Sequence, residues 1–111
     1  FVALAADPRV SITLNPGSTE PTAVSDSGSA GYRSLAGAIH AVYPDVVVAP
    51  GLVLALTDSR HYADLAANIY RFGPLRLKPE DLARIHGSNE RVAVADYADS
   101  VRFFATLMAA P

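Results

Sequence analysis

The sequence predicts a mixed α/β domain, and three observations lead to that prediction. Residues 46–48 form a continuous β-branched run, which is typical of a strand buried on both faces. Apolar side chains recur at spacings of three and four over residues 32–43, which predicts an amphipathic helix. The same spacing near the end of the chain predicts a terminal helix with one apolar stripe: Tyr97, Val101, Phe104 and Met108.

Composition limits the classes of function. With 111 residues, half of them hydrophobic and 18% charged, the chain suits a single domain that buries a core. The formal net charge of −2 excludes nucleic-acid binding by bulk positive charge. No apolar run approaches the roughly 20 residues that span a bilayer, so we expect no membrane partner. The absence of cysteine excludes disulfides and cysteine nucleophiles but leaves the compartment open.

In the first third of the chain, the sequence predicts two strands, a loop and the start of a helix. Residues 1–6 are apolar, without an initiator Met or the basic start of a signal peptide, so we expect a strand that begins inside a larger protein. Residues 10–14 alternate in polarity, which predicts a half-buried strand. Residues 15–29 are rich in Pro, Gly, Ser and Thr and predict a long loop. Ser29 is a predicted helix N-cap, and Pro44 ends that helix.

In the middle of the chain, a cluster of polar residues directly follows a predicted strand. A second apolar run at residues 52–56 leads into the polar cluster at residues 57–62. In open α/β sheets, ligands bind at the carboxyl ends of strands. We therefore expect the polar cluster to line a site.

The last third of the chain predicts short elements before the terminal helix. These are a short helix over residues 62–67, a strand over residues 68–72, a polar turn or short helix over residues 78–84 and a loop over residues 85–90. Pro79 suits the first position of the second short helix. Asp96 and Asp99 are expected in the first turn of the terminal helix, where the helix dipole favours them.

Arg60 is the sharpest functional candidate. A guanidinium can bind a carboxylate through two parallel hydrogen bonds, and Thr57 and Ser59 add hydroxyl donors beside it. Thr57, Asp58, Ser59 and Arg60 are therefore candidates for an anion-binding pocket. The alternative is that Asp58 and Arg60 form a surface ion pair, which contributes little.

The three histidines are the next candidates. His40 lies in the predicted first helix and is interpreted as a packed or surface side chain, whereas His61 either caps a helix or lines a site. His86 lies in a loop and is a candidate metal ligand. Zinc needs three or four ligands, so partners such as Asp58, Glu90 or groups outside the chain would be required. No His-Glu-x-x-His motif and no Gly-x-Ser-x-Gly elbow is present.

Four motifs in a fixed order carry a family resemblance. They are Pro50-Gly51-Leu52, Thr57-Asp58-Ser59-Arg60-His61-Tyr62, Ile69-Tyr70-Arg71-Phe72-Gly73-Pro74 and Ile85-His86-Gly87-Ser88-Asn89-Glu90-Arg91. Together they resemble the C-terminal part of a zinc hydrolase family that includes carboxypeptidase S, Gly-Xaa carboxypeptidase, aminoacylase, succinyl-diaminopimelate desuccinylase and carnosinase. The carboxypeptidase S branch is the most similar.

The resemblance implies an incomplete α/β fold and a hydrolytic activity. Residues 44–111 would be the C-terminal part of a zinc-binding catalytic domain, and residues 1–43 the end of an α+β lid domain used for dimerisation. The family hydrolyses peptide or N-acyl amino acid amide bonds next to a free carboxylate with two zinc ions. His86 matches a late histidine ligand, Arg60 matches the arginine that holds the substrate carboxylate, and Asn89 matches the same motif as His86.

The chain also departs from the family pattern. The early His-x-Asp pair, the bridging Asp and the Glu-Glu pair that provides the general base have no match, so the resemblance implies one metal ligand at most, no catalytic base and no activity alone. Leu54-Ala55-Leu56 stands where relatives have a Gly-rich lead-in. The expected partner is the remainder of the catalytic domain. The alternative is a non-enzymatic binding or assembly module in which residues 10–14 and 32–43 form an interface.

Overall fold

The computed structural model describes residues 7–110, so the predicted strand at residues 1–6 lies outside the described residues. The described residues form three α-helices, α1 (Ala30–Val42), α2 (Pro79–Leu82) and α3 (Val94–Ala109), with a 3-10 helix at Asp58–Tyr62 between α1 and α2. The rest of the described chain forms turns and extended segments. None of the described helices is both long and apolar enough to cross a bilayer.

Helix α1 begins and ends where local sequence signals predict. The Ser29 hydroxyl accepts a hydrogen bond from the Tyr32 backbone N–H at 3.1 Å, which satisfies one of the free donors of the first turn. The Tyr43 N–H donates to Ile39 O at 2.7 Å, and Pro44 follows at the first position that cannot continue the ladder. The predicted N-cap and end of α1 are both confirmed.

Helices α1 and α3 pack against each other and form the core of the described chain. Ala38, Ile39 and Tyr43 from α1 and Phe103 from α3 are buried, with Phe103 only 1% exposed. The Phe72 ring lies 5.1 Å from that of Phe103 and extends the cluster. The predicted domain boundary after residue 43 therefore separates two helices that share one core, and the assignment of domains stays a prediction.

Helix α3 turns a different face inward from the apolar stripe that its sequence suggests. Phe103 is buried, whereas the four residues of the predicted stripe are 47–79% exposed. The adjacent Phe103 and Phe104 give α3 two apolar faces, and contact with α1 selects the face of Phe103. The expectation for the first turn is half wrong, because Asp96 lies there but Asp99 lies beyond it and is buried.

The predicted strands do not form within residues 7–110. Residues 10–14, 46–48, 52–56 and 68–72 carry no ladder hydrogen bonds, because no partner strand lies beside them. Their apolar side chains stay largely exposed, as for Leu54 at 95%. The α/β sheet of the predicted fold class remains a prediction for a longer protein.

The short helices follow local signals with one shift. Pro79 begins α2, as predicted, and the Lys78 N–H donates to Asp81 Oδ2 at 3.0 Å at that end. The helix predicted at residues 62–67 instead lies earlier, as the 3-10 helix Asp58–Tyr62. This shift places the polar cluster itself on the helix.

Candidate functional site

The 3-10 helix organises the polar cluster from its N-terminal end. Thr57 is extended and precedes the helix, and the Arg60 N–H closes the first turn on Thr57 O at 3.3 Å. The hydroxyls of Thr57 and Ser59 hydrogen-bond to each other, so both lie on the same side of the turn. Arg60 follows Ser59 directly and is half-buried.

Arg71 joins this cluster from a segment that is distant in sequence. Its Nε donates to Ser59 Oγ at 2.6 Å and to Thr57 Oγ1 at 3.3 Å. Its Nη2 donates to Thr22 Oγ1 at 3.2 Å. The sequence does not predict Arg71 as a site residue. It is only part of a motif there, because no local spacing links it to these three hydroxyls.

The predicted alternative for Arg60, an ion pair with Asp58, is not formed. Within residues 7–110, Arg60 contacts no carboxylate, and its Nε lies 3.4 Å from His61 Nε2. Asp58 is exposed. The guanidinium of Arg60 therefore keeps its positive charge available to a ligand.

Arg60 and Arg71 both line a large open cavity of about 1190 Å³, and Arg76 lines it as well. The polar part of its lining includes Thr22, Thr57 and one carboxylate, Glu20, beside the arginines, and the aliphatic side chains of residues 46–56 line much of the rest. The hydroxyl of Tyr32, another wall residue, is buried and finds no hydrogen-bond partner among the described residues. This arrangement suits a molecule with an anionic end and an apolar chain.

His86 lies on a separate loop. Its backbone is left-handed, with φ of 58°, and its N–H donates to Glu90 Oε2 at 3.3 Å. Asn89 is also left-handed, with φ of 60°. A Cβ on Gly87 would stand 3.1 Å from Ala83 O, so the tight turn favours glycine there. The imidazole of His86 is exposed.

The structure thus brings together only some of the predicted site residues. Thr57, Ser59 and Arg60 share one cluster, but His86 and Asn89 do not line its cavity. Residues 7–110 contain no group of three or more His, Cys, Asp or Glu side chains able to hold a metal ion. This part of the chain therefore does not form a zinc site on its own.

A second polar cluster holds the helix pair and is structural. Arg76 contacts Asp96 at 2.7 Å and Asp99 at 2.8 Å, with its guanidinium 4.8 Å from the centre of the Tyr43 ring. Arg102 also binds Asp99. The hydrogen bond from Arg102, followed by that from Arg76, holds the pKa of Asp99 below its usual value.

Comparison with known proteins identifies the family. The chain is 42% identical over 102 residues to the N-fatty-acyl-amino acid synthase/hydrolase of Bos taurus, covering 90% of the chain and 20% of that protein. It is 42% identical over 98 residues to the probable carboxypeptidase S-like 2 of Dictyostelium discoideum, covering 88% of the chain and 19% of that protein. The chain belongs to the carboxypeptidase S family.

A fungal protein is similar to the chain as well. An uncharacterized carboxypeptidase of Schizosaccharomyces pombe is 39% identical over 95 residues, covering 83% of the chain and 15% of that protein. The chain spans about one fifth of the length of the curated relatives it matches. No protein-family profile and no solved structure matches it.

Proposed function

We propose that this chain acts within a longer enzyme that hydrolyses the amide bond of N-acyl amino acids or short peptides next to a free carboxylate. The observation that carries the proposal is the cavity, whose lining combines guanidinium and hydroxyl groups with many aliphatic side chains. Such a cavity pairs an anionic end while it removes an apolar chain from water. The name of the Bos taurus relative describes a molecule of this kind.

In this proposal, Arg60 holds the substrate carboxylate. The support is its position on the cavity wall without a carboxylate partner in the described residues. Thr57 and Ser59 orient the polar side of the pocket through their mutual hydrogen bond. Asp58 and Asn89 do not line the cavity, so a role for them requires the rest of the longer protein to complete the wall.

The proposed metal ligand is His86. Proteins of the carboxypeptidase S family are generally zinc-dependent, and two ions in the complete site would supply Lewis-acid polarisation of the scissile carbonyl. The described residues offer one imidazole towards such a site, so the other ligands and the general base have to come from the rest of the longer protein. The exposure of His86 supports this role, because ligands from outside the chain can approach it.

The proposed partner is the remainder of the catalytic domain. Residues 46–48, 52–56 and 68–72 would complete an α/β sheet with it. Support comes from the exposed aliphatic side chains of these residues, since large contiguous apolar patches mark interaction surfaces. The assembly-module alternative has less support, because residues 10–14 form no strand and α1 packs its buried face on α3.

The test compares two substrates in the full-length protein. For Arg60→Ala, we expect KM for an N-acyl amino acid to rise by roughly 10–100-fold, which is the worth of one charge-assisted interaction. The rate on the matching N-acyl amino acid carboxamide should stay unchanged, because that substrate has no carboxylate to bind. Arg9→Ala is the matched control, since Arg9 pairs with Asp7 on the surface. An equal loss on both substrates would refute the carboxylate role.

A further inference from the structure

Arg71 differs from the ion-paired arginines in what surrounds its charge. Four other arginines each contact an aspartate within the described residues: Arg9, Arg76, Arg84 and Arg102. Arg71 is half-buried and contacts only hydroxyl oxygens in residues 7–110. A hydroxyl accepts a hydrogen bond without neutralising a guanidinium. The positive charge of Arg71 is therefore held in place and left uncompensated.

The hydrogen bonds of Arg71 also leave donors free in a defined direction. Nε is shared between Ser59 and Thr57, and Nη2 reaches Thr22, so the guanidinium is fixed along one edge. Nη1 contacts no acceptor in the described part of the chain. Because a guanidinium is planar, fixing one edge orients the other edge as a ready fork for an oxyanion.

Arg71 and Arg60 line the same cavity, and Ser59 is linked to both of them. Thr57 and Ser59 contact Arg71, and Ser59 is the direct neighbour of Arg60 in the 3-10 helix. Both guanidiniums line the cavity. Neither guanidinium forms an ion pair in residues 7–110, and the lining carboxylate of Glu20 is bound to neither of them, so both positive charges are available to an anion in the cavity.

We propose that Arg71 is a second carboxylate-binding residue of this pocket, positioned by the hydroxyls of Thr22, Thr57 and Ser59. The inference rests on the proposed function and deepens it, since it assigns the selectivity for a free carboxylate to two guanidiniums. Arg71 contacts the substrate carboxylate, whereas Ser59 and Thr22 act through Arg71. The substrate class is an acyl amino acid or peptide with a free α-carboxylate.

The experiment measures KM and kcat of the full-length protein with an N-acyl amino acid and with its carboxamide. For Arg71→Gln, we expect KM for the carboxylate substrate to rise by roughly 10–100-fold, with kcat and the carboxamide kinetics little changed. Arg71→Lys keeps the charge but loses the planar fork, so it should recover part of the affinity. A purely structural Arg71 would lower the thermal midpoint and reduce the rate on both substrates together, which would overturn the inference.

Ser59→Ala and Thr22→Val test the positioning without removing the guanidinium. Each should raise KM for the carboxylate substrate by roughly 3–10-fold, since one orienting hydrogen bond is lost. Unchanged KM in both variants would contradict the positioning by hydroxyls. If Arg60→Ala discriminates between the substrates and Arg71→Gln does not, this inference fails while the proposed function stands. If neither variant discriminates, both fail.

Discussion

The helix pair buries an apolar core within the described chain, whereas the segment that joins the two helices leaves most of its own apolar side chains exposed. Helices α1 and α3 close a small core around Phe103. Arg76, near the end of the joining segment, pairs with Asp99 of α3. The joining segment, residues 44–77, exposes most of its aliphatic side chains and makes no ladder hydrogen bonds. An amphipathic helix needs one partner surface, whereas a buried strand needs neighbours on two edges and two faces. The difference indicates that the helix pair is the self-sufficient part and that the joining segment needs the rest of a longer protein.

The largest expected effect comes from the core of the helix pair. Phe103→Ala removes the most buried side chain of the described chain and should lower the free energy of unfolding by about 3–5 kcal/mol. Phe104→Ala is the matched control, because Phe104 is 47% exposed and should cost about 1 kcal/mol. Urea denaturation followed by circular dichroism measures both. Equal losses for the two variants would mean that α3 does not bury the face that contacts α1.

The sequence predicts the helix pair better than the joining segment because of the range of the deciding interactions. Ser29, Pro44 and Pro79 act within one turn of the chain, and each marks a helix end as predicted. The inward face of α3 depends on where α1 lies, which no local pattern encodes. The position of Arg71 depends on Thr22, 49 residues away.

The candidate site divides along the same line. Thr57, Ser59 and Arg60 lie within four residues of one another, and one turn of 3-10 helix brings them together. The local sequence alone therefore predicts this cluster. For His86 and Asn89, only the family resemblance predicts a place in the same site. Their loop is shaped locally by two left-handed residues and lies outside the cavity lining. Bringing that loop to the pocket would need contacts that residues 7–110 do not contain.

The next effect sharpens the comparison by changing its context. Leu54 is 95% exposed in the chain, so Leu54→Ser should change the unfolding free energy by less than about 0.5 kcal/mol. In the full-length protein, where we propose that residues 52–56 become a buried strand, the same change should cost about 2–3 kcal/mol. The full-length protein should also bind less hydrophobic dye than the chain does, because residues 52–56 would be covered there. If Leu54→Ser costs the same in both contexts, the joining segment is not covered by the remainder of the domain.

The smallest expected effect tests the ion pairs of Asp99 in α3, which are formed with Arg102 of the same helix and with Arg76 of the joining segment. The Asp99 carboxyl accepts hydrogen bonds from Arg102 and Arg76, which hold its pKa below the usual value. A carboxyl with a lowered folded-state pKa stabilises the fold above the unfolded value of about 3.9, and that contribution is lost as pH falls through the folded pKa. Solvent screens both guanidiniums, which are 58% and 68% exposed, so the contribution is modest.

Asp99→Asn should therefore flatten the fall in stability below about pH 4, which urea titrations at pH 3 and pH 7 measure. Arg102→Gln removes the largest cause of the lowered pKa while it leaves the carboxyl in place. In that variant, the folded-state pKa of Asp99 should move towards the unfolded value, so the loss of stability on acidification should be smaller than in the unmodified chain. If Arg102→Gln does not change how much stability is lost on acidification, the ion pairs of Asp99 do not contribute to the pH dependence of stability. Apolar packing around Phe103 then holds the helix pair alone.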